Sequence, residues 1–109
     1  DLPVIITDRD HVISVSGISK KEYLERRISS ELETLMESRT NYTASADEEP
    51  IYPISGMSRE AAVAYPIIGS GDVSGCVVLL LNSDGSLPSE TERKLVAVAA
   101  SFLGKQMEE

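Results

Sequence analysis

The chain has 109 residues, enough for one domain with a single core, since a unit this small buries only about 60 to 70 % of its unfolded surface. With 41 % hydrophobic and 26 % charged residues it lies outside the composition of chains that stay disordered, so residues 1–109 read as one folded domain. Ten Lys and Arg against eighteen Asp and Glu give a net charge of -8, which repels a phosphate backbone and an anionic membrane surface alike and argues against nucleic-acid or membrane contact by this segment.

The chain starts at Asp1 without a methionine and enters a strand-like run at once, so it reads as a trimmed piece of a longer protein. LPVIIT at 2–7 is apolar and β-branched, the next four residues (Asp8, Arg9, Asp10, His11) are turn-prone, and VISVS at 12–16 follows, which predicts a β-hairpin. After Gly17, Ser19-Lys20-Lys21-Glu22 is a capping box that opens a short helix with Tyr23, Leu24 and Ile28 toward the core. A second box, Ser30 to Glu33, opens another helix carrying Leu32, Leu35 and Met36 at helical spacing, with a bend between the two near Ser29.

TNYTASADEE at 40–49 is polar and reads as a surface loop before a short edge strand at 51–54, where Pro53 restricts pairing. A longer strand is predicted over Glu60 to Ile68, joined through Gly69-Ser70-Gly71-Asp72 to another at Ser74 to Leu81. Within it, the apolar stretch from Val77 to Leu81 is far shorter than the roughly 20 residues a spanning helix needs. Ser89-Glu90-Thr91-Glu92 is a third box and starts a helix running to about Met107. The order β-β-α-α-β-β-β-α, with adjacent antiparallel hairpins, is α+β.

Few residues suggest chemistry. Asp8 and Asp10 resemble a phosphatase nucleophile motif, but a second strand follows after four residues, so a turn in which Asp bonds its own backbone is the better reading. The glycines of GSGDVSG (69–75) precede a strand, whereas a phosphate loop precedes a helix N-terminus. The sequon Asn41-Tyr42-Thr43 carries no meaning without a secretory signal. The single cysteine, Cys76, allows no internal disulfide and no thiolate-rich zinc site; it fits a reducing cytoplasm and a core position. With His11 the only imidazole, hydrolytic or acyl-transfer catalysis is not expected, nor is any metal or cofactor.

Three stretches, ITDRDHVISVSGISKKEYLERRISSELETLMESR, AYPIIGSGDVSGCVVLLL and SETERKLVAVAASFLGKQMEE, resemble the C-terminal sensor domains of the stage V sporulation protein T family, transcription regulators of spore-forming bacteria. The resemblance spans nearly the whole chain and is weakest from Thr40 to Arg59. It implies a GAF-type domain, an antiparallel sheet flanked by helices on both sides, dimerising through terminal helices, with tetramers possible in the intact regulator. It also implies an AbrB-like DNA-binding domain and a first GAF helix ahead of residue 1, neither of which is in this sequence. The signatures of cyclic-nucleotide, chromophore-binding and sulfoxide-reducing GAF domains do not occur here.

The resulting expectation is a non-enzymatic module that binds an unidentified small molecule between the sheet and residues 19–54 and signals through its last helix. Ser14, Ser16, Met36, Tyr42, Tyr65 and Cys76 are the candidate ligand contacts, being polar, aromatic or adaptable groups on the strands and the lid-like segment. Leu95, Val98, Ala99, Phe102, Leu103 and Met107 form an apolar arc wider than one sheet contact needs and are the candidate dimer interface. The alternative is a purely structural oligomerisation domain with no ligand. A sulfoxide reductase is a distant third, since one cysteine cannot both attack and resolve.

Overall fold

A computed structural model describes residues 2–106. Its elements are β1 (Val4–Thr7), β2 (Val12–Ser16), α1 (Lys20–Tyr23), α2 (Ser30–Ser38), β3 (Tyr42–Thr43), β4 (Ala61–Gly69), β5 (Asp72–Leu80) and α3 (Glu90–Gln106). The strands form one antiparallel five-stranded sheet in the order β2-β1-β5-β4-β3. The fold is therefore α+β, as the element pattern implied.

Local chemistry explains most boundaries. In the β1–β2 turn, Asp8 Oδ1 accepts hydrogen bonds from the backbone N–H of Asp10 and of His11, each at 2.7 Å. The β4–β5 turn has Ser70 and Gly71 at φ 52° and 83°, the positive values that match the twist of the flanking strands. Ser19 caps α1 by accepting from Glu22 N, and the box at Ser89 is complete: Glu92 N donates to Ser89 Oγ while Ser89 N donates to Glu92 Oε1.

Two expected features fall elsewhere. The cap of α2 is Ser29, whose Oγ accepts from Leu32 N at 3.2 Å, so the cap stands one residue before the predicted box. The segment 51–54 forms no strand: its backbone bonds outward instead, with Ser29 N donating to Pro53 O and Ala61 N to Ile51 O, leaving one isolated bridge between Ile28 and Ile54. The edge position goes to Tyr42 and Thr43, inside the stretch expected to be loop, which pair with Ala64 and Val63 of β4.

Core residues lie on both faces of the sheet. Ile5, Val12, Val15, Cys76, Val78 and Leu80 join Tyr23, Ile28, Leu32, Leu35, Met36 and Ile54 in one layer. Val63, Ile67, Val77 and Leu79 join Val96 and Ala100 of α3 in the other. Consecutive residues of β5 thus alternate between two covered faces, which is why that strand reads as an unbroken apolar run. The β1–β2 register jumps from Ile6↔Ser14 to Thr7↔Val12, so Ile13 is an extra, unpaired residue. That bulge keeps both Val12 and Val15 buried while Ser14 and Ser16 are exposed.

Candidate functional site

The six candidate ligand contacts do not assemble into one recess. Met36, Tyr42 and Cys76 belong to the layer beneath α1 and α2. Ser14 and Ser16 pair with Ile6 and Val4, which pack in the α3 layer, and both serines are exposed near the free edge of β2. Tyr65 also lies in the α3 layer, half-buried beside a cleft that Thr43, Glu90 and Arg93 line with it. The physical reason is the one-residue bulge at Ile13, which sets the serines on the face opposite Met36 and Cys76. The space expected between the sheet and residues 19–54 is filled with side chains, among them the fully buried Ile5, Val12, Leu32, Ile54, Cys76, Val78 and Leu80.

That packed layer holds one polar anomaly. Thr7 is fully buried and its Oγ1 has no hydrogen-bond partner among the described residues, a situation that costs about 1–3 kcal/mol. Thr7 shares the face of Ile5 two residues earlier and lies directly across from Cys76 on one side and Val12 on the other. Burial pushes the Cys76 thiol up to about 12, so it is a neutral thiol in the fold. Burial likewise raises the Tyr42 phenol. Backbone donation from His11 and Asp10 holds the Asp8 carboxyl below the ordinary aspartate range.

Around this layer the surface is indented in several places. A cleft of about 220 Å³ is lined by Arg9 and Asp10 of the β1–β2 turn and by Glu33, Met36 and Glu37 of α2. A shallower groove of about 470 Å³ runs past Ser29, Tyr52, Ile54 and Met57 at the start of α2. A third of about 440 Å³ lies beside His11, Ile13 and Leu24. Among the described residues, no group of three or more His, Cys, Asp or Glu is arranged to hold a metal ion. No helix there is long and apolar enough to cross a membrane.

The candidate dimer residues divide according to helical phase. Val96, Ala100 and Gly104 face the sheet, and Ala99 and Leu103 pack partly against it. Leu95, Val98 and Phe102 are 53, 66 and 59 % exposed, an apolar stripe on the outer side of α3. Met107 lies outside the described residues.

Sequence reasoning passed over Thr7, whose only signal is a hydroxyl in an otherwise aliphatic strand. It also missed Arg59, whose Nη1 donates to the Tyr23 hydroxyl at 3.2 Å and whose Nε donates to the Leu81 carbonyl at 3.0 Å, tying α1 to the end of β5.

The structure is thus an α+β module with packed layers on both sheet faces and one apolar helix stripe turned outward. The family described as "Stage V sporulation protein T C-terminal, transcription factor" matches residues 1–108, and the chain belongs to that family. It is 39 % identical over 108 residues to stage V sporulation protein T of Bacillus subtilis (strain 168), an alignment covering 97 % of this chain and 59 % of that protein. The chain thus spans about three-fifths of the length of this relative.

Proposed function

We propose that this chain is the self-association module of a cytoplasmic sporulation transcription regulator, a GAF-type domain that pairs two copies through α3 and so sets the spacing of attached DNA-binding domains. The observation that carries the reading is the exposed stripe Leu95, Val98 and Phe102. Its i, i+3, i+7 spacing is the seam of a paired helix, and a stripe so apolar on an otherwise strongly acidic chain is shielded by a second copy of itself. The partner contact needs no catalytic group, which agrees with membership of a transcription-factor family.

The test is the solution mass of the chain by light scattering. A dimer is expected for the natural sequence and a monomer for the Val98→Glu, Phe102→Glu double variant, with an unchanged far-ultraviolet spectrum. A natural chain that stays monomeric at high concentration would overturn the reading.

A second reading, small-molecule sensing, is supported by one observation that self-association does not require: the unpaired Thr7 hydroxyl inside the α2 layer. A thermal-shift screen with amino acids, nucleotides and acyl metabolites tests it, since only a sensor gains stability from a ligand.

A further inference from the structure

We propose that Thr7 is the polar floor of a small-ligand site, closed in this structure by Met36 and entered between the β1–β2 turn and α2, whose ligand is a zwitterion of the α-amino-acid class. The inference rests on the sensing reading. Thr7 Oγ1 is buried without a partner among the described residues, and a strand position flanked by Val12 and Cys76 would be served equally well by valine. The unsatisfied hydroxyl is a group that a bound ligand would satisfy.

The way in is given by neighbouring residues. Arg9 lies two residues along the chain from Thr7, within about 7 Å even at full extension, and forms one wall of the small cleft. Met36 belongs both to the core layer that contains Cys76 and to the lining of that cleft. Met36 is thus shared by cleft and core, and its unbranched thioether has the rotameric freedom to swing aside. Once it does, the cleft deepens toward Thr7 and Cys76.

The charges at the mouth select the ligand. Arg9 offers a guanidinium to a carboxylate, while Glu33 and Glu37 of α2, with Asp10 opposite, offer carboxylates to an ammonium group. A molecule carrying both groups close together satisfies both walls, and its side chain points to the floor, where the Thr7 hydroxyl can donate or accept.

The experiment is thermal unfolding of the 109-residue chain with each of the common L-α-amino acids at millimolar concentration, repeated for Thr7→Val, Thr7→Ser and Arg9→Ala. At least one amino acid should raise the midpoint by on the order of 5 °C near saturation. Thr7→Val, which replaces the hydroxyl with a methyl group of similar size, should melt no lower than the natural chain without ligand and lose most of the shift. Thr7→Ser should keep it, and Arg9→Ala should weaken it. Should Thr7→Val not fold, the ¹³C-methyl resonance of Met36 in the natural chain must move on addition of the same amino acid; a stationary resonance overturns the proposal. A shift that survives intact in Thr7→Val sinks this site but leaves sensing standing. If no amino acid acts, the proposal fails, and if nucleotides and acyl metabolites also do nothing, the sensing reading fails with it.

Discussion

Gly104 of α3 rests directly on the backbone of Ile68 in β4: a Cβ built at position 104 would overlap the Ile68 carbonyl oxygen. A backbone carbonyl within a paired strand cannot give way as a flexible side chain can, so the helix would have to lift. Gly104→Ala should therefore destabilise the chain by about 1–3 kcal/mol, even though alanine gains about 1 kcal/mol over glycine in helix propensity. Urea titration measures this, and a stabilised variant would show that the helix does not sit so close.

The cap of α2 can be located by two single changes. Ser29→Ala should cost about 1 kcal/mol, because Leu32 N loses its acceptor, whereas Ser30→Ala, inside the first turn, should change stability little. Comparable losses at the two positions in denaturant titrations would contradict the Ser29 cap.

Cys76 predicts a pH dependence whose sign is fixed. Its thiol ionises near 9 when unfolded and near 12 in the fold, so between those values the native state holds a proton that the unfolded state has lost. Stability from this group is fully present below pH 9 and declines as pH rises toward 12. The raised phenol of Tyr42 acts in the same direction above pH 10. In parallel, Cys76 should resist alkylation in the native chain at pH 8 and react readily in denaturant. Rapid native alkylation would place the thiol at the surface.

The proposed pairing through α3 would make thermal stability depend on concentration. If Leu95, Val98 and Phe102 are covered only by a second copy, the unfolding midpoint of the natural chain should fall on about hundredfold dilution. The Val98→Glu, Phe102→Glu variant should show no such dependence. Calorimetry at two concentrations decides it.

What is legible in the sequence is whatever depends on three or four neighbouring residues. Asp8 folding the first turn onto its own backbone, the caps at Ser19 and Ser89, the β4–β5 hairpin and the course of α3 all belong here, because donor and acceptor lie within one turn of chain. The α2 cap was missed by one residue because Ser29 and Ser30 are chemically alike, and only the bond to Leu32 N tells them apart.

The candidate site was legible only in part. Met36, Tyr42 and Cys76 do share a layer, yet Tyr42 on the edge strand β3 sits two strands, roughly 10 Å, from Cys76 on β5, and the serines lie on the other face. Side chains on a strand alternate, so a single unpaired residue such as Ile13 exchanges inside for outside, and no local pattern announces it.

The hairpin turns, the caps at Ser19 and Ser89 and the span of α3 were thus legible in the sequence itself, since short-range hydrogen bonds and helical periodicity are properties of adjacent residues. The tertiary structure alone decided that β3 replaces the proline-bearing segment at the edge, that Leu95, Val98 and Phe102 remain outside while Val96 and Ala100 go in, and that Thr7 is buried without a partner. Each of those depends on strand order and register between residues far apart in the chain, where a hydroxyl's partner, or its lack of one, is determined by what the opposite strand and the covering helix bring to it.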